Sequence, residues 1–409
     1  VTVDAATSEG RIPTLNSTPV SSAATGPRVR TRPSLRVAAP ALLAYAAVRL
    51  VGLLIAALYG SAHQTTMLNR LGSFWDAGWY VRIVQTGYSV GDGFIGNYGI
   101  PYSPRAFFPL FPWLADPLNR ILGLTPGTAL VLVSCLAGLA AAWGVYAVAD
   151  LVHGRRAGVI AAVLWGVLPL AILENAAYSE ALFTAFAAWT LYAVLARNWI
   201  WAGALCVLTG LTRPSAMAVT AAVAVAALVE LYRIRRGRVT DVHWSRPLLA
   251  GLASPLGWGG YMLYVGWTQG SLTGYLHIQK AWNSSFDGGV STLHWFNQVL
   301  LSGQAESLSN VVEALTVIGY LVLFAITLVH RQPVALMVYS ACLLVISLGN
   351  GSPYPPLARF LLPAFPLLFP LAAALARSRS WWTLWVVLGA SALVSGVYGI
   401  DVLYLATQP

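Results

Sequence analysis

The chain has 409 residues, 57% of them hydrophobic and only 9% charged, with a mean hydropathy of +0.68 and a formal net charge of +10. A soluble domain carries roughly 25% charged residues, so this composition excludes a soluble globular protein and implies an all-α polytopic membrane protein. The arginine excess would suggest nucleic acid in a soluble chain. Here the arginines fall mostly between apolar spans, where they set orientation, and no nucleic-acid partner is expected.

In chain order, residues 1–36 are rich in Ser, Thr, Pro and Arg, carry no apolar period and predict a disordered cytoplasmic tail. Residues 37–409 predict a single transmembrane domain. The apolar stretch Val37–Gly60 suits a bilayer span of about 20 residues and exceeds a signal-peptide core of roughly 7–15. After the segment 61–126, further spans are expected at 127–150, 157–175, 178–196, 199–212, 214–232, 246–268, 310–329, 333–349, 359–376 and 381–403, which makes eleven. Pro214 marks a break beside the short segment 199–212. Cys135, Cys206 and Cys342 each sit alone within an apolar span, so no disulfide framework or cysteine metal pair is present.

Basic residues sort by side. With a cytoplasmic N-terminus, Arg28, Arg30, Arg32, Arg36, Arg155, Arg156, Arg197, Arg233, Arg235, Arg236, Arg238, Arg246, Arg331, Arg377 and Arg379 all fall inside. The outer side then receives the loops 61–126 and 269–309, the turns near Glu174, Arg213 and Tyr354, and the carboxylates Asp76, Asp92, Asp116, Glu174, Glu180, Asp287, Glu306 and Glu313. Any chemistry should face away from the cytoplasm across a multi-pass plasma membrane. The near absence of lysine, Lys280 alone, with abundant alanine suits a bacterial gene.

The stretch FWDAGWYVRIVQTGY, from Phe74 to Tyr88, sets one carboxylate, Asp76, among Trp75, Trp79 and Tyr80 just beyond the first span. On a helix, Asp76 and Tyr80 share a face with the turn at Ile83 and Val84, while the aromatic rings suit an interfacial layer. A carboxylate so placed can take a proton from an acceptor hydroxyl; the plainer reading is a solvated acid on an interfacial helix. The block from Pro101 to Gly123 carries Pro104, Pro109, Pro112 and Pro117 and cannot be one unbroken helix. A re-entrant or interfacial segment beside a cavity is expected, with Arg105 as an anion contact or headgroup anchor. In ENAAYSEALF, Glu174 and Glu180 stand near the outer surface, and capping of the next helix is the plain role for Glu180. Arg213, in LTRP, and Arg359, in PYPPLARFLLPAFPL, interrupt apolar runs. Each needs a partner such as Glu174, Glu180 or a ligand phosphate. The loop GYLHIQKAWNSSF offers Gln279, Lys280 and Trp282 for sugar binding, with His277 better read as solvated. No Walker loop, GxGxxG turn or HExxH motif occurs.

Taken in order, FWDAGWY, AFFPLFP, AAYSEALF, LTRP, HIQKAW and ARFLLPAFPL make the chain, from about Ala38 to its end, resemble the PIG-V type of mannosyltransferase, in particular bacterial relatives. The first motif resembles the catalytic loop of multi-spanning GT-C glycosyltransferases. The resemblance implies a GT-C-like helical bundle that uses a lipid-phosphate sugar, with Asp76 as the essential acid of the first outer loop. A clear DxD or ExD pair is missing from that loop, so no metal is assigned and no cofactor is expected. The implied partners are a polyprenyl-phosphate mannose donor, an extracytoplasmic lipid, glycan or protein acceptor, and membrane lipid. Arg213, Arg359 and Arg105 would bind the donor phosphate. Trp75, Trp79, Tyr80, Glu174, Glu180, Gln279, Lys280 and Trp282 would line the substrate site. The rival class is a lipid or glycolipid flippase, whose ionisable residues would cross the midplane in paired broken helices.

Overall fold

A helix whose backbone bonds are satisfied internally is one of two ways to cross a bilayer, and the chain uses it throughout. The computed structural model describes Thr2 and residues 34–89, 93–301, 308–351 and 357–405. Most of the tail, with Arg28, Arg30 and Arg32, lies outside the described residues, as do Asp92, Glu306 and Tyr354. The helices are α1 (Leu35–Ala62), α2 (Met67–Ser73), α3 (Asp76–Thr86), α4 (Leu110–Leu122), α5 (Pro126–His153), α6 (Arg155–Gly166), α7 (Glu180–Leu195), α8 (Trp199–Gly210) and α9 (Met217–Arg235). They continue as α10 (Ser245–Ala253), α11 (Leu256–Thr268), α12 (Gly274–Gln279), α13 (Val290–Phe296), α14 (Leu308–Val329), α15 (Val334–Leu348), α16 (Leu357–Leu361), α17 (Phe369–Ala376) and α18 (Trp381–Ile400). The strands β1 (Ser285–Phe286) and β2 (Asn350–Gly351) pair antiparallel and tie the segment between α12 and α13 to the end of α15.

Five helical stretches, Leu35–Ala62, Pro126–His153, Pro214–Arg235, Leu308–Val329 and Trp382–Leu405, are long and apolar enough to cross a membrane. Shorter apolar helices cover Glu180–Leu195, Trp199–Gly210, Val334–Leu348 and Phe365–Ala376. The chain is a polytopic helical membrane protein, and each expected span coincides with helix. Three are interrupted. The span at 246–268 divides at Ser254 and Pro255, and 157–175 ends its α-helix at Gly166 and resumes as a 3-10 turn, Ala171–Glu174. The span at 359–376 is α16, a 3-10 turn at Phe365–Leu368 and α17. Pro255, Pro169, Pro363 and Pro366 stand at these breaks, where proline lacks the N–H a continuing helix needs.

Helix α5 is central, packing on α4, α6, α7, α1 and α2. Lipid tails are as apolar as leucine, so close backbone approach drives packing more than apolarity does. Its buried Ala129, Ala137, Ala141, Ala142 and Ala149 permit that approach, and a Cβ on Gly144 would lie 2.7 Å from that of Ala188 on α7. At its N-terminal end Gly127 meets Gly72 of α2, where a Cβ on Gly127 would lie 2.8 Å from the Gly72 carbonyl oxygen. This contact fixes α2 and, through it, the start of α3.

The proline-rich block is irregular as expected: a 3-10 turn at Pro104–Ala106, then extended residues leading into the 13-residue α4. Its carbonyls are satisfied by side chains from elsewhere. Tyr261 donates to the Arg105 and Phe107 oxygens at 3.0 and 2.8 Å, Tyr88 to Phe107 at 3.1 Å, and Tyr275 to Ala106 at 3.1 Å.

Candidate active site

Helix α2 ends at Phe74, and Trp75 turns the chain with φ of 45°, a left-handed value rare for a bulky residue. Asp76 therefore opens α3, where the helix dipole favours a carboxylate. One turn on, the Tyr80 hydroxyl donates to Ser179 Oγ at 3.0 Å, tying the head of α3 to that of α7. Tyr80, Ile83 and Val84 are buried on the face that begins with Asp76.

Four charged residues distant in sequence meet there. Arg359 on α16 bonds Asp76 Oδ2 through Nη2 and Glu180 Oε1 through Nε, the latter at 2.6 Å. Its guanidinium lies 4.2 Å from the Tyr178 ring centroid. Arg213, at the break between α8 and α9, places Nη1 3.0 Å from the same Glu180 Oε1. That approach is not aligned as a hydrogen bond, so Arg213 Nε and Nη1 remain buried donors without an acceptor. Phe183 and Phe360 lie beside the Arg213 guanidinium, at 5.9 and 5.6 Å. The Glu180 side chain is 1% exposed and that of Asp76 32%. Glu180 is sealed between two guanidiniums, and Asp76 is the acid a ligand can reach.

The aromatic residues beside Asp76 form a second layer. Trp79 stacks on Phe107 at 5.8 Å and meets Trp282 edge-on at 5.7 Å, with Tyr102 packed against both tryptophans. Trp282, from the segment between α12 and α13, thus joins the segment between α1 and α5. Gln279 donates to the Tyr275 hydroxyl at 2.6 Å and bonds the Ala106 carbonyl at 3.4 Å, which anchors the proline-rich block. Trp75 is half exposed, and Lys280 and His277 are exposed. Arg105 is half-buried with its Nε unbonded.

The sequence expectation of a carboxylate partner for the buried arginines holds for Glu180. Glu174 sits in a different cluster: it accepts from Tyr45 on α1 at 3.3 Å, and Arg49 on α1 bonds its neighbour Asn175 at 2.9 and 2.6 Å. Arg49 also donates to the Gly166 carbonyl at 3.0 Å. Glu180 is the first residue of α7, and its carboxylate meets both arginines through Oε1. Tyr178, under the Arg359 guanidinium, and Ser179, which accepts from Tyr80, are buried supports of the cluster, and in the sequence only their place inside AAYSEALF beside Glu180 points to them.

Residues 103–253 match the sequence profile of a family described as dolichyl-phosphate-mannose-protein mannosyltransferase. That stretch holds Glu180 and Arg213 but neither Asp76 nor Arg359. No curated protein matches the chain in sequence. Among solved structures, the chain is similar to ArnT from Cupriavidus metallidurans bound to undecaprenyl phosphate, with TM-score 0.54 and 15% identity over 86% of this chain and 63% of that one. It is also similar to the archaeal oligosaccharyltransferase AglB from Archaeoglobus fulgidus in complex with an inhibitory peptide and a dolichol-phosphate, with TM-score 0.51 and 12% identity over 90% of this chain and 56% of that one. The chain spans 56–63% of the length of these structures. At such identities the likeness concerns the fold alone, and the chain shares the helical fold of these two structures.

Proposed function

We propose that the protein is a membrane glycosyltransferase that transfers mannose, with inversion, from a polyprenyl-phosphate donor to an extracytoplasmic lipid, glycan or protein acceptor. The observation that carries this reading is the cluster of Asp76, Glu180, Arg213 and Arg359 within a GT-C fold, with Asp76 alone accessible among its acids. The lipid phosphates bound by ArnT and AglB, and the family matched by residues 103–253, support the donor class.

In this reading the acceptor O–H gives its proton to the Asp76 carboxylate as its oxygen attacks the anomeric carbon. The bond from that carbon to the phosphate oxygen breaks on the opposite face, and polyprenyl phosphate leaves with the electron pair. Arg359 orients Asp76 through their ion pair. The open donors of Arg213 meet the charge that grows on the leaving phosphate, and Arg105 is the second phosphate contact. Because Arg213 and Arg359 face Glu180 and Asp76, the resting cluster is formally neutral, and protonation of Asp76 during transfer leaves it one positive charge to meet the departing phosphate. Trp75, Trp79, Tyr80, Gln279, Lys280 and Trp282 would border the sugar and acceptor. The site opens outward from the plasma membrane, and both termini follow from the arginine distribution: N-terminus inside, C-terminus outside.

The test is transfer by the purified protein in vesicles. Polyprenyl-phosphate mannose should serve as donor, and GDP-mannose should not. Efficient transfer from GDP-mannose in vesicles free of the lipid donor would overturn the reading.

A further inference from the structure

Helix α16 has five residues, Leu357–Leu361, yet it carries the arginine that grips Asp76 and Glu180. So short a helix cannot hold itself, since fixing the first turn costs more than its hydrogen bonds return. Its first N–H groups also lack partners within the helix. The segment is held from outside by three side chains on three other helices. Downstream of Arg359, Trp165 on α6 donates to the Leu362 carbonyl at 3.1 Å, and Tyr339 on α15 donates to the Pro363 carbonyl at 2.9 Å. Upstream, Glu313 on α14 accepts from the Ala358 N–H at 3.0 Å. Trp165 and Tyr339 are fully buried neutral donors. Glu313 is the one acceptor of the three, and it bonds the residue adjacent to Arg359.

We infer that Glu313 is a positioning residue for Arg359 and, through it, for Asp76. Its carboxyl oxygen accepts from the first turn of α16 and so satisfies an N–H that has no partner within the helix. It thereby references the guanidinium to α14, a continuous 22-residue helix. Asp76 sits across the site on α3, so its angle to an acceptor depends on a bond made between two other helices, α14 and α16. The inference rests on the reading of Asp76 as the base.

Glu313→Gln, Glu313→Asp and Glu313→Ala separate this role from a merely structural one. Glutamine still offers an oxygen to Ala358, whereas aspartate keeps the charge but retracts it by one methylene. Loss of a hydrogen bond to a charged group corresponds to about a ten- to hundredfold change. Accordingly kcat should fall at least about tenfold in the Ala and Asp forms, with donor KM nearly unchanged, and the Gln form should retain most activity. Hydrogen exchange of the peptide 357–362, followed by mass spectrometry, should quicken in Ala and Asp but not in Gln. Normal kcat in the Ala or Asp form overturns the inference, as does a Gln form as impaired as Ala, or exchange that does not respond. If Ala fails to fold, the Asp and Gln pair decides alone. The exchange readout needs no turnover, so it reports on the anchor even if Asp76→Asn stays active and the base assignment falls.

Discussion

Two buried polar clusters lie within this bundle, and they use arginine in opposite ways. In the Asp76 cluster each guanidinium faces a carboxylate, Glu180 is shared, and one acid remains a third exposed. In the Glu174 cluster the charged groups bond neutral partners: Arg49 takes Asn175 and the Gly166 carbonyl, while Glu174 takes the Tyr45 hydroxyl. The second cluster closes α1 against the connection between α6 and α7 and is sealed from ligands, with Arg49, Glu174 and Asn175 all buried. It holds up the segment whose far end carries Ser179 and Glu180. The difference teaches that burial of ionisable groups does not itself mark a site. An acid that keeps both an ionic partner and an opening is the more telling sign.

That contrast can be broken most directly by removing one charge from each cluster. Asp76→Asn should cut turnover by about 10²- to 10⁴-fold, the usual contribution of a general base, while unfolding temperature changes little. Glu174→Gln keeps an acceptor for Tyr45 and should transfer sugar at close to the parent rate. Initial rates of both purified forms decide it, and comparable losses would place the two acids in one functional unit. Stability sharpens the same comparison. Glu180→Leu leaves two buried guanidiniums without their shared acid, a loss of about 3–5 kcal/mol. Asn175→Ala removes one neutral acceptor from Arg49 and should cost less, about 1.5–3 kcal/mol. Denaturant unfolding in detergent measures both, and the reverse order would show that the Asp76 cluster is held by packing. The smallest effect is expected outside the membrane. Hydrogen bonds from Ser291, with a further one from the Gly289 N–H, hold the Asp287 carboxyl below the usual carboxylate range. A depressed folded-state value means that the stabilisation is present at neutral pH and lost only as pH falls through that value. Protection of residues 287–293 against hydrogen exchange, taken relative to the intrinsic rate at each pH, should therefore fall on acidification in the parent, whereas in Asp287→Asn it should be nearly insensitive to pH.

The spans were legible because apolar length and proline position are local properties. Asp76 was legible because a lone carboxylate among Phe74, Trp75, Trp79 and Tyr80 is conspicuous. The pairing of Arg213 and Arg359 through Glu180 was legible only as a set of alternatives, since residues 76, 180, 213 and 359 meet by long-range packing that no local pattern encodes. Glu313 went unassigned among the outer acids because its partner is a backbone N–H, invisible in a list of side chains. Tyr45 and Arg49 read as part of an ordinary first span. Their partners lie more than a hundred residues away.

The tyrosines that cap the proline-rich block also set a timetable. The oxygens of Arg105, Ala106 and Phe107 leave the ribosome long before Tyr261 and Tyr275, which follow by 156 and 169 residues in the two longest of these bonds. At roughly 5–20 residues per second, the first outer loop waits about ten to thirty seconds with only Tyr88 at hand. Until then those carbonyls must find other donors, so the proline-rich block reaches its final form only after the segment that carries Tyr261 and Tyr275 has been made.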